Sequence, residues 1–220
     1  MTTCNVLKGQ SAADRLALLG IKPVWLQNAL LAGDAEARTS TPLDPLITAG
    51  IYRYSRIVRV FREQTVNEEN WTFDNRRNQP RTISPTREFA VIVAQGNEFT
   101  GDADAVPSNK YGKGVTVADA VVQNEQLALD LESLLPDGVE LEPGETVTVN
   151  DGLTTWVLLY TAVDNEIRYE LSQPNTMTGG FITGWSERIL FASLALDATV
   201  LVEEPADEYD VPVERRDRPA

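Results

Sequence analysis

The chain has 220 residues, with 33 acidic against 19 basic side chains, a net charge of −14, one cysteine and no histidine. The missing histidine excludes Ser–His–Asp and Cys–His nucleophile pairs, imidazole bases and His-containing metal sites, and a single Cys4 excludes thiolate zinc and iron–sulfur centres within one chain. Any chemistry must run on carboxylates, Lys, Tyr, Ser or Thr; no cofactor is assigned, and an oxygen-ligated cation such as magnesium or calcium is the one considered.

Residues 1–10 lack both a basic start and an apolar core, so they read as a flexible tail rather than a secretory signal. Ser11, Asp14, Leu16, Leu18 and Leu19 predict a short capped helix stopped by Gly20. Lys22-Pro23 opens a second helix, with Val24, Trp25, Leu26, Leu30 and Leu31 as its apolar stripe through about Arg38. Two prolines break the chain at 39–45, and a third helix is predicted over 46–66.

After Asn67 the apolar period changes from 3.6 to 2. The spacing predicts a short strand over 70–73, a turn over 74–80 and a buried strand over 89–94 ended by Gly96. A long polar loop follows at 96–114, then a helix over 116–136 and an acidic turn region at 137–145. Strands at 155–163 and 166–172 flank Asp164-Asn165, which reads as a hairpin turn. A loop holding Gly179-Gly180 leads to a last strand at 188–194, and an acidic, Pro-containing tail expected to be disordered occupies 203–220. The four Trp and most Tyr read as core.

Helices first, then mostly antiparallel strands with one interposed helix, predict an α+β fold: a single domain over 11–202 between two tails. No apolar run approaches the ~18–20 residues that cross a bilayer, and a reducing, cytoplasmic setting is expected. Oligomeric state is not legible.

The charges are sorted along the chain. Residues 53–87 carry eight Arg against four acids, whereas 88–164 carry fourteen acids against two Lys. Arg53, Arg56, Arg59 and Arg62 recur every third residue, and Arg76, Arg77 and Arg81 follow among aromatic residues. Guanidinium groups in such a row suit an anionic partner, either an acidic protein surface or nucleic acid. The competing reading is structural, with the acidic 88–164 half folded back onto the row. Tyr52 and Tyr54 lie beside it. In the loop, Glu98, Asp102, Asp104 and Asn109 offer oxygen ligands near Lys110 and Lys113, but neither EF-hand nor P-loop spacing is met. Asp102 and Asp104 are the candidate metal ligands; the alternative is an extended surface loop. Asp164, Glu166 and Arg168 read as charges at a hairpin tip.

The reading is a non-enzymatic binding or adaptor protein that uses 53–87 against an anionic protein or nucleic acid within an assembly, without a membrane. No catalytic residue is assigned. The alternative is a divalent-cation-dependent enzyme on a phosphorylated or nucleotide substrate, built on loop 96–114. A third is an acidic decoy that imitates nucleic acid.

Overall fold

A computed structural model describes residues 4–113, 117–122, 124 and 152–196. In chain order the elements are β1 (Asn5–Leu7), α1 (Gly9–Leu18), α2 (Pro23–Ala37), α3 (Thr48–Glu69), β2 (Thr72–Asp74), a 3₁₀ turn (Arg76–Asn78), β3 (Arg81–Ile83), β4 (Phe89–Gln95), β5 (Thr154–Val163), β6 (Glu166–Thr178), β7 (Phe181–Leu190) and β8 (Leu194–Ala195). The strands form one sheet in the order β1-β7-β6-β5-β4-β3-β2, with β8 also paired to β6. Only β1–β7 and β4–β5 run parallel. The fold is α+β, as the order of elements predicts.

The three helices cover one face. Trp25, Leu26, Leu30, Ile57 and Phe61 pack there against Trp156, Leu158, Tyr160 and Tyr169 of the sheet. The alternate residues of β4 and β5, among them Ile92, Ala94, Val157 and Leu159, build a second core on the opposite face with Ile182, Trp185 and Val117. With both faces covered, β4 and β5 read as continuous apolar runs instead of alternating ones. All four Trp are buried.

The sheet bends where β6 meets β7. Pro174 has no N–H to give, and three register shifts follow between Gln173 and Met177. With the strand out of step here, Trp185 joins Ile182 on the second face. Asn124 closes the gap: its amide donates to Thr155 O (2.8 Å) and Pro174 O (2.9 Å) and accepts from the Thr155 N–H (2.6 Å). The predicted interposed helix is represented by helical residues 117–122; its remainder, the acidic region 137–145 and the tail 203–220 lie outside the described residues.

Several boundaries differ from expectation. The flexible tail expected at 1–10 contains β1, held parallel to β7, and Cys4 is half-buried against the second core. α1 begins at Gly9, so Ser11 is inside its first turn and reaches back to accept from the Lys8 N–H and donate to Lys8 O. α3 starts later and runs further than 46–66, ending where Asn70 adopts a left-handed conformation (φ 57°). β3, three residues long, was not foreseen. Gly179 and Gly180, both at positive φ, form a hairpin turn, so the last long strand is Phe181–Leu190 rather than 188–194. The turn at Asp164 and Asn165 is where it was expected, both residues at positive φ.

Loop 96–113 is neither extended nor loose. It folds over the second face and seals the side chains of Glu170 and Arg188, which pair at 2.6 Å and are 0% and 3% exposed. The Gly101 N–H and the Ser172 hydroxyl donate to the Glu170 carboxylate, and Arg188 donates to Ala105 O and Asp102 O. Every charge in this pair therefore meets a partner, which burial demands.

Candidate functional site

α3 is the element that carries the Arg row. Its 22 residues make a rod about 33 Å long. Ile57, Phe61 and Thr65, spaced four apart, are its buried stripe. α2 lies antiparallel to it, with Asp34 beside Arg53 and Trp25 beside Glu68. Gly33 permits the close approach: a Cβ there would fall on Ile57 Cγ1 and lie 2.9 Å from Arg53 O.

Among the described residues most of the Arg row is held internally, by acids outside the 88–164 half. Arg53 pairs with Asp34 (2.7 Å) and Arg56 with Glu36 (2.9 Å), both on α2, while Arg59 pairs with Glu63 (2.7 Å) one turn on. Arg81 pairs with Asp74 across the β2–β3 hairpin. Arg76 and Arg77 open the 3₁₀ turn between those strands. Arg62 differs: its guanidinium donates to Asp74 O (2.7 Å), Arg81 O (3.1 Å) and Asn75 Oδ1 (3.1 Å) and lies 4.7 Å over the Phe73 ring. No carboxylate sits within ion-pairing distance of it among the described residues. Burial pulls its pKa down from the ordinary value, with the nearby Asp74 opposing.

Tyr54, Val58, Arg62 and Val66 continue along one flank of α3 and face Phe73 and Pro80, leaving a groove of about 510 Å³. A second cavity of about 650 Å³ adjoins it at Tyr54 and is lined by Ile47, Ile51, Gln95, Tyr111, Lys113 and Tyr160. The approach to α3 is unusually apolar for a surface, with Leu43 and Leu46 fully exposed and Ile47 and Ile51 more than half exposed.

The loop candidates separate. Asp102 Oδ1 accepts from the Asp104 N–H, a local turn, while Asp102 O is taken by Arg188. No three Asp, Glu or Cys side chains come together to hold a metal ion among the described residues. Arg168 at the hairpin tip donates to Glu98 O and lies 3.5 Å from Glu166. Lys110 lies over the Tyr111 ring, whereas Lys113 reaches the second cavity beside Arg53 of the helix. Two constellations that are separate in the sequence thus meet at one place. Gln95, Tyr111 and Tyr160 were missed; a polar residue ending an apolar strand just before Gly96 was the one available signal.

Burial pushes the Tyr160 hydroxyl up to about 12, from an ordinary value of about 10. The folded state then holds this proton more tightly than the unfolded chain, so its contribution to stability is complete below pH ~10 and is lost as pH rises toward ~12. Urea titrations across this window should show stability falling, and Tyr160→Phe should flatten that fall.

No family model matches the chain, and comparison with curated proteins and with solved structures found no match. No single described helix is long and apolar enough to cross a membrane.

Proposed function

We propose that the chain is a binding protein whose partner-facing surface is the groove between α3 and the β2–β3 hairpin, and that it takes an acidic, apolar segment of a partner protein. One observation carries this reading: an apolar groove lined by Arg62, which has no carboxylate partner among the described residues, and by the paired Arg59 and Glu63, beside the exposed ring of Phe73. Aromatic and Arg side chains around an apolar floor are the residues that dominate protein interfaces. Nucleic acid is the weaker partner, because Arg53, Arg56 and Arg59 already sit against carboxylates, and phosphate binding depends on uncompensated cations.

The test is fluorescence anisotropy with a labelled amphipathic helical peptide of leucine and glutamate, its lysine counterpart, and single- and double-stranded oligonucleotides. The acidic peptide should saturate with a Kd of about 1–100 μM, while the lysine peptide should bind at least about tenfold more weakly. Phe73→Ser with Val58→Ser should weaken binding about tenfold or more, and Arg59→Glu should slow association. Equal binding of both peptides would overturn the reading. Oligonucleotide binding with a steep salt slope would replace it with a nucleic-acid interface.

A further inference from the structure

The loop that leaves β4 comes back to its starting point. The Asn97 N–H donates to Ser108 O (2.9 Å), the Lys110 N–H donates to Gln95 O (2.8 Å), and Gly96 bridges Asn109. Asn109 is buried and ties the loop to β7, donating to Gly180 O and accepting from the Ile182 N–H. Closure of this kind delivers Tyr111 and Lys113 to the carboxyl end of β4. There Gln95 is the register partner of Tyr160 on the parallel strand β5. The carboxyl ends of parallel strands joined by a crossover are where mixed sheets commonly seat ligands.

The cavity at this point, about 650 Å³, lies in the size range of small-molecule sites. Its walls include Ile47 and Ile51, and the polar groups that reach it are short of partners. Tyr160 is 2% exposed, lines the cavity, and its hydroxyl makes no hydrogen bond among the described residues. The Lys113 ammonium has no carboxylate within ion-pairing distance among them, and burial pulls its pKa below the ordinary value. Arg53 also lines the cavity; its partner Asp34 (2.7 Å) is shared with Arg38 (2.6 Å). The site therefore presents the Lys113 ammonium, without a carboxylate among the described residues, beside one unused hydroxyl in an apolar setting. The apolar walls favour an organic carboxylate over inorganic phosphate.

We infer that this cavity binds a small organic monocarboxylate, its carboxylate held by the Lys113 ammonium and the Tyr160 hydroxyl and its apolar body against Ile47, Ile51 and Tyr111. The site is separate from the groove of the proposed function, which shares only Tyr54 with it among the residues named for each, and it stands or falls without that reading.

Isothermal titration of the full chain with phenylacetate and indole-3-acetate tests it, with phenylacetamide and inorganic phosphate as controls. At least one carboxylate should bind with a Kd of about 10 μM to 1 mM, and the amide and phosphate at least about tenfold more weakly. Lys113→Met should weaken the carboxylate about tenfold or more and Tyr160→Phe about three- to tenfold, as expected for hydrogen bonds to a charged group. Affinity should fall as pH rises through the lowered Lys113 pKa, and Lys113→Arg should abolish that fall. Tyr160→Phe removes one oxygen and keeps the ring, so it remains informative if Lys113→Met fails to fold. Saturable binding of neither carboxylate, an amide that binds as well as the acid, tighter binding of phosphate, or affinity unchanged in Tyr160→Phe and in a folded Lys113 variant would each overturn the inference. Binding of the acidic peptide does not involve Lys113, so the two proposals fail separately.

Discussion

Glu170→Ala should lower the unfolding free energy by about 3–5 kcal/mol, because it strands the Arg188 guanidinium at 3% exposure without its counter-ion. That is a large part of the ~5–15 kcal/mol that stabilises an ordinary domain. Removing the carboxylate also orphans the Gly101 N–H and the Ser172 hydroxyl. The damage should therefore spread into loop 96–113, and amide exchange at Gly101 should accelerate beyond what global destabilisation explains. The double replacement Glu170→Leu with Arg188→Met should recover much of the loss, since it removes both desolvated charges together. Urea melts of the single and double variants measure this; a double variant as unstable as Glu170→Ala would show that the charges themselves hold the loop.

Trp25→Ala should cost about 3–5 kcal/mol, the range for deleting a large buried aromatic side chain. Trp25 is fully buried between α2, α3 and the sheet, with Lys22 over its ring and its Nε1–H donated to Glu68 (2.9 Å). It fixes the far end of α3, while Asp34 and Arg53 fix the near end. Trp25→Phe keeps most of the volume and loses the hydrogen bond to a half-exposed acid, so it should cost only about 1 kcal/mol. If Trp25→Phe proved as costly as Trp25→Ala, the bond to Glu68 rather than the packing would be what matters.

The elements legible in the sequence are those whose signals are local. The β5–β6 hairpin announces itself because Asp164 and Asn165 tolerate positive φ and the alternating residues Ile167, Tyr169 and Leu171 follow them. α2 is legible because Pro23 and its apolar stripe sit within a few turns. β1 is not, since its partner in β7 lies some 180 residues away and three residues carry no period. β3 fails for the same shortness. The Arg row was visible, but the partners that Arg53 and Arg56 have among the described residues were not: Asp34 and Glu36 lie upstream on α2 and reach α3 only because Gly33 lets the helices close. Lys113 and Arg53 were each singled out. Their meeting depends on how loop 96–113 closes, and no spacing encodes that.

The pairing of β1 with β7 orders events in time. As the chain is made, residues 5–7 emerge some 180 residues ahead of the strand they must lie beside, which is completed only at residue 190. The long closure makes this a slow contact, reached after the helices and the central strands have assembled. Until then the outer row of β7 backbone groups stays open to another chain. The three residues of β1 thus act as the molecule's last seal, and slow refolding or crowding during synthesis is when its edge-to-edge association would be seen.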